Sequence, residues 1–180
     1  MNKILLICLF ALAGARASAQ LYMTRTGFIG FYSKTPLEDV QGENHQAYAV
    51  VDLGKKDLAV GVLLKGFIFP KELMQEHFNE NYVESDRYPK ATFSGSFTGD
   101  IAPGKDGTYN VVVHGSLTLH GVTKAIEVPA VLTLQGGILS GTATFPVVPE
   151  DYNIGIPSIV RDKIAKTMRV EVKFSCTANQ

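Results

Sequence analysis

The polar residues of this chain that could do chemistry are few, and their spacing sets them apart from one another. Glu76, His77 and Glu80 stand at helical spacing, as a metal set would. At 100° per residue, however, His77 falls on one arc of the helix and both glutamates on the other, so the three side chains diverge. His77 therefore reads as a buried histidine bonded to backbone or a carboxylate. His114 and His120 lie on one strand face, but six residues apart, roughly 20 Å, which is too far to share an ion. A nucleophile with its base would announce itself as G-x-S-x-G, H-E-x-x-H or a cysteine with a histidine close in sequence. None of these patterns occurs. The reading is no catalytic residue, no metal and no resident cofactor, which turns attention to the apolar residues and the elements that carry them.

Residues 1–19 read as a secretory signal: Lys3, an apolar run from Ile4 to Ala15, and an Ala17-Ser18-Ala19 cleavage pattern that leaves Gln20 first. The run is too short to span a bilayer, so no stable membrane span is expected. An exported, periplasmic or secreted, protein follows. Its loss of Lys3 and Arg16, with no acids lost, moves the formal charge from zero to −2. A mildly acidic chain without a basic run excludes nucleic acid as an electrostatic partner. Cys176 is then the last cysteine, so no intrachain disulfide is possible; in an alternating strand it reads as a buried, inert thiol. A homodimer stays open at this point.

Residues 20–180 read as one domain of about eight strands. Strands are expected at Arg25–Ser33, His45–Leu53, Leu58–Phe69, Ala91–Thr98, Tyr109–His120, Ile126–Leu134, Leu139–Val147 and Met168–Cys176. A polar connection is expected over Lys34–Asn44. From Ala91 onward the alternation of apolar and polar residues is strictly period two. The third strand is apolar on both faces, which implies a cover on each, one of them a following helix. Pro70 suits a first helical turn, and over Lys71–Tyr82 the residues Leu73, Met74, His77, Phe78, Asn81 and Tyr82 share one arc while Glu72, Glu76 and Glu80 share the other. Ser158–Lys166 is a possible second short helix. A hairpin meander of this size closes as an antiparallel up-and-down β-barrel or folds as a sandwich.

FxFxxxLMQEHFNENYxESDxYPxATF over Phe67–Phe93, together with GSLTLHGVTK over Gly115–Lys124, resembles the YceI-like family of exported proteins, and Glu76–Tyr88 is similar to the form common in Bacteroidetes. The likeness runs from about Met23 to Cys176. It implies a lipocalin-like barrel, all-β with one or two short helices, around an apolar tunnel that holds a polyisoprenoid or isoprenoid quinone. Thr24–Ser33 departs from the family by keeping Gly-Phe-Ile-Gly-Phe without a histidine, which bears on the ligand rather than on the fold.

Phe67, Phe69, Met74, Phe78, Phe93, Phe97, Leu117, Leu119, Leu132 and Phe145 are the candidates to line such a tunnel, or else they are ordinary core. Wall and core have the same chemistry. His77, Asn81, Tyr82, Arg87 and Tyr88 are candidates for a headgroup at the mouth. Arg87 pairs either with the acidic helix face or with a lipid phosphate, and the two tyrosines can each pack a ring while offering a hydroxyl. Three functions fit: a carrier of an apolar lipid, a filled-core interaction module, or a lipid-modifying enzyme on the same barrel.

Overall fold

The computed structural model describes residues 21–102 and 104–178, so the signal segment lies outside the described residues. Eight antiparallel strands follow one another round a closed barrel. They are β1 (Leu21–Lys34), β2 (Asp39–Asp52), β3 (Asp57–Leu63), β4 (Lys90–Thr98), β5 (Gly107–Leu119), β6 (Val122–Gln135), β7 (Ile138–Val147) and β8 (Met168–Ala178). Each pairs with the next, and β1 pairs with β8 through partners such as Ile29–Val172 and Phe31–Val170, so no strand edge is left open. Tight turns with positive φ at His120-Gly121 and Gly136-Gly137 join β5 to β6 and β6 to β7, as two-residue hairpins require.

The expected alternation holds, with corrections where the pleat changes phase. The expected loop over Lys34–Asn44 is mostly strand: β1 runs to Lys34 and β2 begins at Asp39. Irregularities in the β1–β2 register between Thr24 and Ile29 reset which residues face inward. Tyr22 points to the interior before them, and Ile29 and Phe31 after them. The third strand is shorter than its apolar run. A 3-10 turn at Leu64–Gly66 interrupts it and reverses the phase, so Leu64, Phe67 and Phe69 are buried while Ile68 is exposed. Leu63 and Ile68 are each more than half exposed, so no helix covers that outer face.

Asn44 pins this interruption in place. It is fully buried; its Nδ2 donates to the Leu63 carbonyl at 3.0 Å and its Oδ1 accepts from the Gln46 N–H at 2.7 Å. The expected helix over Lys71–Tyr82 is an α-helix, α1 (Glu72–His77), that opens into a π turn at Phe78–Tyr82. Asn79 Nδ2 donates to the Gln75 carbonyl, and the Val83 N–H reaches back five residues to Phe78. Ser158–Lys166 forms only a 3-10 turn at Ser158–Val160. Beyond it the Ala165 N–H donates to Ser33 Oγ, not to a preceding carbonyl.

The interior divides into two halves. At the end holding the β2–β3, β4–β5 and β6–β7 turns, Tyr22, Val51, Phe97, Leu134, Leu139 and Cys176 fill the barrel. Around the other end, where the long connections 64–89 and 148–167 emerge, the inward residues leave space.

Two outcomes follow. Asn44→Ala removes two hydrogen bonds made from a fully buried side chain, to the Leu63 carbonyl and from the Gln46 N–H, and lowers unfolding free energy by about 1–3 kcal/mol, read as a lower urea midpoint at unchanged slope. Cys176 is fully buried, and burial pushes its thiol from 9.0 up to about 11. A thiol reagent at pH 8 leaves the folded protein unlabelled and labels it stoichiometrically once unfolded. Because the unfolded thiol ionises first, this group's contribution to stability is complete below pH 9 and is lost as pH rises towards about 11.

Candidate functional site

The site is a cavity of about 550 Å³ that opens at one end of the barrel and is walled by apolar side chains from all eight strands. Val51, Val60, Val113 and Leu132, the upper edge of the filled half, form its floor. Its walls stay wide because large rings lie flat against them. Phe31 faces Gly42 across β1–β2, and Phe174 faces Gly141 across β7–β8. A Cβ on Gly42 would come within 2.6 Å of the Phe31 ring, and one on Gly141 within 2.2 Å of the Phe174 ring. Glycine at these two positions lets the rings fold over the strand, where a side chain would push them into the lumen.

Two segments cover the opening. The first is α1 with its π turn, held by a cluster of rings. Phe78 stacks on Phe31 with centroids 5.3 Å apart and meets Phe67 at 5.6 Å and Phe69 at 5.0 Å. The second runs from Pro149 to Ile164 and contributes Ile154, Ile156 and Val160. It is tied down by Lys124 to Asp151 at 3.0 Å, His120 Nδ1 to the Tyr152 carbonyl at 3.0 Å and Lys163 to Glu38 at 4.0 Å, and just beyond its end by the Ala165–Ser33 bond at 2.7 Å. The π turn also orients its own residues. Its wider winding brings Tyr82 to the centre of the inward arc and swings Asn81 to the edge. Tyr82 lines the cavity, and burial raises its phenol above the usual value.

Of the ten wall candidates, Phe67, Phe69, Met74, Phe78, Phe93, Leu117, Leu119, Leu132 and Phe145 face the cavity. Phe97 does not: it lies four residues beyond Phe93 towards the filled end and is core. Of the mouth candidates, His77 and Tyr82 line the opening. His77 is exposed at the rim, because α1 sits over a hole and not against a packed surface. Asn81 is exposed and does not reach the cavity. Arg87 pairs with Glu84 at 3.6 Å and lies over the Tyr88 ring, away from both the mouth and the acidic helix face. Tyr88 packs edge-on against His120, centroids 4.5 Å apart. His114 pairs with Glu127 at 3.2 Å, so the two histidines serve different faces.

The structure adds wall residues: Val170, Val172 and Phe174 from the apolar face of the last strand, and Ile29 and Phe31, whose inward side is set by the β1–β2 irregularities and not by a periodic pattern. It also adds three charged ones with no sequence signal at all. Glu38, Lys71 and Lys163 come from three separate connections and meet at the opening. Among the described residues, no group of three His, Cys, Asp or Glu side chains is placed to hold a metal.

Solved structures share this architecture. Burkholderia cenocepacia BcnA is 20% identical, with 84% of this chain covering 96% of that one at a TM-score of 0.69. A polyisoprenoid binding domain from Saccharophagus degradans, implicated in plant cell wall breakdown, is 16% identical, with coverage of 89% and 99% and a TM-score of 0.73. The YceI protein of Campylobacter jejuni is 14% identical, with coverage of 77% and 85% and a TM-score of 0.62. No curated protein matches the chain by sequence. The model of the YceI-like domain matches residues 23–176, nearly the whole of the barrel, and the chain belongs to the YceI-like family.

Proposed function

We propose that this protein binds a single apolar chain, a polyisoprenoid or isoprenoid quinone, in the barrel cavity and carries or sequesters it outside the cytoplasm. The observation that carries the reading is the cavity itself: about 550 Å³, open at one end, with its charged groups confined to the mouth. A filled-core module would have no such space. An enzyme needs polar groups that converge on a reacting atom, and the deep wall here is aliphatic and aromatic. The solved polyisoprenoid binding domain with the same fold supports the choice of ligand.

Binding works by transfer of the tail out of water. Each buried methylene contributes about 0.8 kcal/mol, so ten give about 8 kcal/mol gross, before the cost of ordering the chain. No polar contact along the tail is required, which is why the wall carries no motif. Entry and exit run through the mouth, past the helix–π turn and the 149–164 segment. Both are held by side-chain contacts and not by strand ladders, so they open more cheaply than the barrel.

Native mass spectrometry of the protein from its own cells, followed by organic extraction, tests the reading. The expected result is one apolar adduct per chain. Ala143→Trp, which places a large ring in the cavity from β7, abolishes the adduct and leaves the circular dichroism of the barrel unchanged. A clean apo mass that persists after incubation with isoprenoids and quinones overturns the proposal in favour of an interaction module. The same spectrum tests export. The expected mature chain begins at Gln20, and a chain retaining residues 1–19 in the cell envelope or medium overturns cleavage there.

A further inference from the structure

The charged residues that line the cavity are all at its mouth, and three of them form one arrangement. Glu38 stands between two ammonium groups. Its Oε1 is 3.2 Å from Lys71 Nζ and its Oε2 is 4.0 Å from Lys163 Nζ. The three residues come from the β1–β2 connection, the residue preceding α1 and the 149–164 segment, so the contact spans the opening. Glu38 is the fixed member. Its backbone is held in a tight turn in which the Glu38 N–H donates to Thr35 Oγ1 at 3.0 Å and the Thr35 N–H and hydroxyl donate to the Glu38 carbonyl. Its side chain is 25% exposed, against 67% for Lys71 and 55% for Lys163.

Two cations share one carboxylate, each taking one oxygen, and that leaves a surplus positive charge at the entrance to an apolar cavity. Glu72 and Glu76 do not offset it at the cavity, because they lie on the outward arc of α1. Exposed pairs of this kind contribute little to folding, so the lysines are free to exchange partners at small cost. A charged head cannot follow its tail into the apolar interior, so it stops at this level, between the two flexible ammonium groups. We propose that the cavity's ligand carries an anionic head, a carboxylate or a phosphate, held between Lys71 and Lys163 in partial exchange for Glu38. The inference rests on the lipid-binding reading and narrows it, because neutral prenols and quinones gain nothing from the pair.

The test compares heads on matched tails. Displacement of a fluorescent apolar probe is measured with geranylgeraniol and geranylgeranyl phosphate, and with hexadecanol and palmitate, on the processed protein. Each anion is expected to bind at least tenfold more tightly than its alcohol at low ionic strength, and the advantage shrinks as salt rises. The double variant Lys71→Gln, Lys163→Gln abolishes the difference between anion and alcohol, and a circular dichroism spectrum and urea midpoint matching the parent protein show that its barrel is intact. Glu38→Gln enlarges the difference. An advantage for only one of the two anions assigns the head to that class. Equal binding of anion and alcohol, or an advantage that survives in the double variant, overturns the headgroup assignment while the lipid reading stands. Failure of all four compounds to displace the probe overturns the lipid reading, and this inference with it.

Discussion

A closed ladder of hydrogen bonds combined with a two-residue side-chain repeat is the constraint on which the rest of this structure depends. Once β1 pairs with β8, no backbone edge remains to be satisfied, and every residue of every strand is either inside or outside. What the inside becomes is then decided one residue at a time. Where Tyr22, Phe97, Leu134 and Leu139 point inward together, they meet and exclude everything else. Where Gly42 and Gly141 let Phe31 and Phe174 lie flat, the same circumference encloses a void. One barrel therefore has a solid half and a hollow half without any change of strand number, and the solid half is what holds the hollow one to shape.

The cover over the hollow half obeys different rules. It has no ladder of its own and is held by a knot of four phenylalanines on one side and by scattered polar bonds on the other. The π turn follows from the same need. Asn79 takes the Gln75 carbonyl with its side chain, and the wider turn aims both Phe78 and Tyr82 downward. The result is a cover that contributes wall area without joining the strand ladders of the barrel, the combination that exchange of the proposed ligand would require.

Much of this could be read in the chain, and the parts that could not have physical reasons. Strict alternation from Ala91 to Cys176 placed five of the strands, because a half-buried strand leaves the clearest periodic signal. The first half of the barrel was harder. The β1–β2 irregularities and the 3-10 turn at Leu64–Gly66 each reverse the pleat, so Phe31 and Phe69 end on the same side as residues of opposite parity. Phe97 and Phe93 share a strand face and differ only in depth along the barrel axis, which a periodic pattern does not encode. Arg87 and Tyr88 looked like mouth residues because they follow the helix, but the chain turns away at Glu84, whose φ is 45°. Glu38, Lys71 and Lys163 are 33 and 92 residues apart in sequence. Nothing local could have brought them together.

The seam between β1 and β8 also dictates an order of events in folding. Residues paired there, such as Phe28 and Lys173, are among the most distant in the described chain. Each of the other seven ladders can form as a neighbouring hairpin, but the last one closes a loop of well over a hundred residues and must await the final strand. Until it arrives, β1 presents an unpaired edge and the apolar faces of seven strands stand open. The partly made barrel is thus most vulnerable to sticking to its own kind just before completion. The closing step removes, at once, the edge, the exposed apolar face and the opportunity for mispairing.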